Sequence, residues 1–343
     1  MRQVDTPNLP SASSISVIIP THNGGENLQL VLQALSASIR QPDEVIVVDD
    51  GSTDRSAEIA KNFHAQVVAL TGAPHGPAFA RNRGAEVARG ELLVFLDADV
   101  LAHPDTLGLF EKYLTENSEV TAIFGSYDDH PPGRRSVSRY KNLLHHYTHQ
   151  HGQREASTFW AGCGGIRRNV FAQMGGFTES YARPSIEDIE LGVRLRQASY
   201  RVWLCKDIQV THLKNWTLKS MLTADIRDRA IPWTRLILQQ GRLPADLNLD
   251  KKSRFSAIAA WLAALFFLAG FISTPLFIGA LLLLMAIVLL NRDLYGFFAR
   301  HGSPWFTFVA IGLHILYFLY SSLIFASMAG WERIHHFSRK SCE

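Results

Sequence analysis

Apolar and polar positions alternate between two periods along the first two hundred residues, and the alternation ends in a long apolar tail. Residues 15–20 form a β-branched run, Ile-Ser-Val-Ile-Ile-Pro, which predicts a strand stopped by proline. Leu28, Val31, Leu32 and Leu35 then recur at helical spacing, predicting a helix over 26–38. A second strand is predicted at 44–48, a helix over 55–63, a third strand at 66–70 and a helix over 78–88. The next run, Leu92 to Leu96, is apolar throughout, as in a parallel strand buried on both faces. This β-α-β-α-β order predicts a doubly wound, mostly parallel α/β sheet with right-handed crossovers.

The buried run ends in Asp97-Ala98-Asp99. Side chains alternate along an extended chain, so the two carboxylates would point the same way. Ligands of open α/β sheets bind at the carboxyl ends of strands, and paired acidic oxygens there suit Mg²⁺ or Mn²⁺ shared with substrate phosphates.

Composition adds little until it is resolved along the chain. A formal charge of +3 over 343 residues, with no Lys/Arg-rich block, gives no case for a nucleic-acid partner. Cys163, Cys205 and Cys342 lie far apart, with no metal spacing or paired framework, as in a reducing compartment. Residues 1–14 are polar and lack an apolar core, so they read as a flexible lead-in.

Six signatures in order resemble those of the family 2 glycosyltransferases, which have the GT-A fold. They are Val17-Ile18-Ile19-Pro20-Thr21-His22-Asn23, Val47-Val48-Asp49-Asp50-Gly51-Ser52, Ala80-Arg81-Asn82-Arg83-Gly84, Phe95-Leu96-Asp97-Ala98-Asp99, Gly175-Gly176-Phe177, and Glu187-Asp188-Ile189-Glu190. The resemblance covers roughly residues 15–215 and implies a metal-assisted, inverting transfer of one sugar from a nucleoside-diphosphate sugar, of hexosyltransferase type. On that resemblance Pro20 and Thr21 line the base pocket, Asp50 bonds the base or ribose, and Arg81 lies beside the base or phosphates. Asp97 then holds the ribose, Asp99 binds the metal with His212 as its late partner, and Asp188 is the general base. Trp160, Gly162 and Glu187 would belong to the acceptor and sugar pocket. From the residues themselves, Asp50 also suits an Asx turn, and Ser185-Ile186-Glu187-Asp188 also suits a helix start with Ser185 as N-cap.

The expected organisation is a GT-A domain over 15–215, with a nucleotide-sugar half at 15–100 and an acceptor half at 101–215. Within the latter, 128–153 is the stretch expected to contact acceptor with the least order, and its histidines (His145, His146, His149, His151) are expected at the surface rather than on a metal. Residues 216–250 mix aromatic and basic side chains, which suits a helical segment at the membrane interface and equally an ordinary amphipathic helix. The apolar region 255–331 predicts about three spans, at 256–273, 275–290 and 305–328, with Trp305 and Trp331 as interfacial anchors.

Lys251, Lys252 and Arg254 before the first span, with Arg292 and Arg300 after the second, predict a catalytic domain on the cytoplasmic side of the inner cell membrane in a multi-pass protein. Arg333, Arg339 and Lys340 after a third span leave either a C-terminus outside or one re-entrant segment. The expected acceptor is a hydroxyl of a lipid-linked or cell-envelope glycan. Two other readings stand beside it: a polyprenyl-phosphate sugar synthase, and a non-catalytic membrane scaffold that binds a nucleotide sugar. Because some 250 residues precede the spans, a chain cut at about Phe255 should still fold.

Overall fold

The computed structural model describes residues 13–240 and 251–340. Most of the lead-in, the end of the 216–250 segment and Cys342 therefore lie outside the described residues. The chain divides into two compact units. The first comprises residues up to Ser126 together with Arg154–His212; the second comprises Tyr127–Gln153 together with residues from Leu213 on.

The first unit opens with β1 (Ile15–Thr21), α1 (Gly25–Ser36), β2 (Glu44–Asp50), α2 (Ser56–Asn62), β3 (Gln66–Leu70), α3 (Pro77–Val87) and β4 (Leu92–Leu96). It continues through β5 (Val100–Ala102), α4 (Thr106–Glu116) and β6 (Val120–Tyr127). After an excursion into the second unit come β7 (Cys163–Arg167), α6 (Arg168–Gln173), α7 (Glu187–Gln197) and β8 (Arg201–His212). The eight strands form one sheet in the order β3-β2-β1-β4-β7-β6-β8-β5.

The predicted parallel pairing holds for β3, β2, β1 and β4. Beyond β4 the pairing turns antiparallel, β4 with β7, β7 with β6 and β5 with β8, so the sheet is mixed. All five residues of β4 are buried, as expected of a strand covered on both faces. Phe95 packs its ring against Phe171 and Phe177 at centroid distances of 5.3 and 5.1 Å.

The second unit holds α5 (Ser136–His151), α8 (Leu218–Thr223), a π-helical turn at Ala224–Ala230, α9 (Ile231–Gln240), α10 (Lys251–Ala269), α11 (Pro275–Leu290), α12 (Arg292–Arg300) and α13 (Pro304–Lys340). Here the structure departs from expectation. Residues 128–153, expected to be the least ordered, contain the sixteen-residue α5, whose Tyr140, Leu143 and His146 recur at helical spacing and are buried. Tyr140 and Leu143 share an apolar core with Trp216, Met221, Phe298 and Phe306. His146 and His149, expected at the surface, are buried, and His146 Nδ1 bonds the Tyr127 carbonyl at 2.7 Å. Asp225, in the π-helical turn, takes Lys141 and the Tyr320 hydroxyl as partners.

Among the described residues two helices are long and apolar enough to cross a membrane: Lys251–Ala269 and the Pro304–Trp331 part of α13. The middle segment expected at 275–290 is a sixteen-residue helix, α11, which bends by 72° into α12. By length and composition, the described residues thus hold two candidate spans, or three if the bent pair is one. Leu268, Leu289 and Phe308 are examples of large apolar side chains left exposed on these helices.

Candidate active site

Three long-range contacts assemble the site in the first unit. The first is made by register. Antiparallel pairing of β5 with β8 sets Val100 opposite His212, which brings the Asp99 carboxylate beside the imidazole. Asp99 Oδ2 and His212 Nε2 are 3.6 Å apart. Two ligands about 2.1 Å from one cation stand roughly 3.0–4.2 Å apart, depending on the angle between them. The pair therefore fits a shared divalent ion. Among the described residues no group of three or more metal-ligating side chains occurs, so other ligands would have to come from substrate or water.

The second contact is a loop. Asp188 is half-buried in the first turn of α7, and its Oδ2 accepts the Ala161 amide at 3.0 Å while Oδ1 accepts the Ile189 amide at 2.8 Å. The carbonyl of the next loop residue, Gly162, accepts the Asp97 amide at 3.3 Å. A Cβ on Gly162 would come within 2.6 Å of the Trp160 indole, so the glycine lets that ring lie over the loop. Burial first, then the neighbouring Glu187 carboxylate, push Asp188 up to about 7, against the opposing Arg81 charge and the two amides.

The third contact is Arg81, buried on α3. Its Nη2 donates to Asp97 Oδ1 at 2.6 Å and its Nη1 donates to Glu187 Oε1 at 2.9 Å. Burial works against the charge of Arg81, but the carboxylates of Asp97, Glu187 and Asp188 hold it well above the usual guanidinium value. Next to it, the Asn82 side chain donates to the Phe177 carbonyl and accepts the Phe177 amide, at 2.8 and 2.9 Å. Three of the six sequence signatures are thereby clamped to a fourth.

Asp50, expected to bond the base or ribose, holds a loop by its carboxylate. Its carboxylate accepts the amides of His75 and Gly76, at 2.9 and 2.7 Å, and contacts His75 Nδ1 at 3.0 Å. It shapes the loop before α3, a role for which the sequence offers only the Gly-Pro spacing around His75 as a signal. The Asx turn is formed by its neighbour, since Asp49 Oδ1 accepts the Ser52 amide at 3.0 Å. Likewise Ser185 is not the cap of α7: its own amide donates to Glu187 Oε2 at 2.9 Å. Pro20 and Thr21 end β1, with Thr21 buried and its Oγ1 without a hydrogen-bond partner. Burial raises the Cys163 thiol far above its normal range, as befits a packing residue.

The loop that Asp50 holds gives a stability test. Gly76 has φ +97°, and a Cβ there would lie 2.6 Å from the Ala182 carbonyl carbon. Gly76→Ala should therefore destabilise the protein by about 2 kcal/mol or more, read as a lowered unfolding midpoint. An unchanged midpoint would show that the loop is free to shift.

Residues 16–175 match the model of the glycosyl transferase family 2. They form a family 2 glycosyltransferase domain. In that domain the relatives are similar but partial. An uncharacterized glycosyltransferase of Escherichia coli K12, YibD, is 40% identical over 108 residues, which is 31% of this chain and 30% of that protein. The undecaprenyl-phosphate 4-deoxy-4-formamido-L-arabinose transferase of Yersinia enterocolitica is 29% identical over 138 residues, 38% of this chain and 42% of that protein. The chain thus spans less than half the length of the curated relatives it matches first. A mannosyltransferase from Pyrobaculum calidifontis, solved with GDP-mannose and Mn²⁺, superimposes with a TM-score of 0.60 at 16% identity. That match covers 92% of this chain and 88% of the other, and it shows a shared fold.

Proposed function

We propose that this family 2 domain is an inverting, metal-assisted glycosyltransferase that moves one sugar from a nucleoside-diphosphate sugar to a hydroxyl of a lipid-linked or cell-envelope glycan. The observation that carries the reading is the loop 160–162. Ala161 holds Asp188 and Gly162 holds the strand end that leads to Asp99, so base and cation side hang from adjacent residues. A carboxylate raised to about 7 is poised to take a proton near neutral pH, as a general base must.

Asp188 would take the acceptor proton as the oxygen attacks the anomeric carbon. With the leaving diphosphate on the opposite face, one displacement inverts that centre. Asp99 and His212 would hold the cation, which when bound offsets the charge on the departing diphosphate. An imidazole ligand suits Mn²⁺ better than Mg²⁺, whose preferred partners are oxygens. Asp97 would hold the ribose, and Pro20 and Thr21 the base. Trp160, Gly162 and Glu187 would border the sugar.

The Yersinia relative's name points to an undecaprenyl-phosphate acceptor, which supports a lipid-linked substrate. A phosphate acceptor is already ionised and needs no base, so the Asp188 geometry favours the hydroxyl. The two or three spans support a multi-pass protein of the inner membrane with its catalytic side in the cytoplasm.

A panel of nucleoside diphosphates with Mn²⁺, read by thermal stabilisation, should identify the base, because ligand binding to the native state raises its stability. Transfer from the matching sugar nucleotide should invert the anomeric centre, read by NMR of the product. For the cation, Asp99→Ala and His212→Ala should each reduce transfer by more than about 100-fold, since even outer partners of a metal are worth 10–100-fold. A chelator that leaves turnover unchanged would sink the metal assignment.

A further inference from the structure

Arg81 is placed where a cation is hard to explain by packing alone. Its buried neighbours on α3 are the small Ala78, Ala80 and Gly84 and the uncharged Asn82, and only 4% of Arg81 is exposed. Burying a charge is unfavourable unless it is paired, and this one is paired twice, with carboxylates from two different elements. Its Nε is also buried and makes no hydrogen bond, so the fork is turned wholly toward those two carboxylates. The Phe177 ring, 5.6 Å from the guanidinium carbon, covers it.

We propose that Arg81 is a positioning residue that ties the Asp97 carboxylate at the end of β4 to the first turn of α7, so that donor side and general base are held in register by one buried guanidinium. This rests on the transfer reading above. Glu187 is the intermediary. Its Oε1 meets Arg81 while its Oε2 accepts the Ser185 amide, which closes the turn that delivers the chain to α7. Asp188 is the next residue, and its other restraints are the Ala161 and Ile189 amides. The two carboxylates therefore reach one cation from opposite sides of the site, and neither has to find its place independently.

The arrangement is also electrostatic. Three carboxyl groups, those of Asp97, Glu187 and Asp188, surround a single guanidinium. Glu187 pushes Asp188 toward protonation and Arg81 pushes it toward ionisation. A donor arriving on the Asp97 side meets a carboxylate already oriented, and the same cation favours ionisation of Asp188 against its burial and the Glu187 charge. Positioning and proton affinity thus share one group, and removing it should disturb both.

The test uses the full-length protein in detergent, Mn²⁺, and the best-turned-over of a panel of uridine, guanosine and thymidine diphosphate hexoses. In Arg81→Met the acid limb of kcat/KM should move up by about one pH unit, because a charge of opposite sign near a carboxylate is worth that much or more. Affinity for the matching nucleoside diphosphate, measured by calorimetry, should fall about tenfold as Asp97 loses its anchor.

In the double variant Arg81→Met/Glu187→Gln a positive and a negative charge leave together. The acid limb should return to its original position while diphosphate binding stays weak. Arg81→Lys should keep the limb and lose part of the affinity, since a lysine supplies the charge without the fork. Should Arg81→Met fail to fold, the lysine and double variants alone decide the matter. An acid limb that stays put in every variant, or diphosphate affinity indifferent to Arg81, overturns the proposal. Failure of the transfer reading looks different: Asp188→Asn then retains full activity.

Discussion

Asp188→Asn should lower transfer to a hydroxyl acceptor by about 10²–10⁴-fold while the Kd for the nucleoside diphosphate changes by less than about threefold. The substitution keeps shape and one acceptor oxygen, so the Ala161 amide can remain bonded while the Ile189 amide loses its partner, or the reverse. Stability should move the other way. Asp188 has a folded pKa raised to about 7, so its ionisation is disfavoured in the native state. The penalty is absent below the unfolded value near 4, grows between pH 4 and 7, and is complete above 7.

The asparagine variant should therefore be more stable than the parent at pH 8, by on the order of 1–3 kcal/mol, and no more stable at pH 4. In the parent protein, kcat/KM should rise with pH through about 7 and level off as the base loses its proton. Full activity in the variant points to a phosphate acceptor instead. Loss of nucleotide binding points to a structural role for the helix start.

Much of this arrangement can be read from the chain because its parts are local. A buried strand ending in two carboxylates, a turn ending each of the first strands, and acids in the first turn of α7 are all short-range patterns. What escapes such reading is pairing across long stretches of chain. The register that sets Val100 opposite His212 is decided by how β8 enters the sheet, and no spacing in the sequence encodes it. The same holds for Arg81. A resemblance places it beside the donor, but the sequence of α3 does not reveal that two carboxylates from other elements meet Arg81 there. Asp50 is hard to read for a further reason. One carboxylate can serve a ligand or a neighbouring loop, and only the position of the His75 and Gly76 amides tells which.

The least legible feature was the allegiance of α5, and it changes what a truncation should do. The hydropathy of the chain suggests a catalytic domain followed by an anchor, so that a chain ending before Phe255 would still fold. The core of the second unit says otherwise. Tyr140, Leu143, Trp216 and Met221 are buried together with Leu294, Phe297, Phe298, Phe306, Ala310 and Leu313, so residues on both sides of the proposed cut share one apolar cluster. Asp225 would also lose Tyr320, its partner at 2.7 Å, and remain beside Lys141 with one less hydrogen bond.

Each large side chain stripped of its cover forfeits about 1.5–3 kcal/mol of burial, and several are stripped at once. The total, on the order of 10 kcal/mol, matches or exceeds the whole stability of an ordinary domain. A chain ending at residue 250 should accordingly express as aggregate, or bind a hydrophobic dye strongly and lose cooperative unfolding. The full-length protein in detergent should unfold cooperatively and bind nucleoside diphosphate. A truncated chain that is monomeric, unfolds cooperatively and binds nucleotide at full affinity would show that residues 127–153 find their fold without the apolar helices.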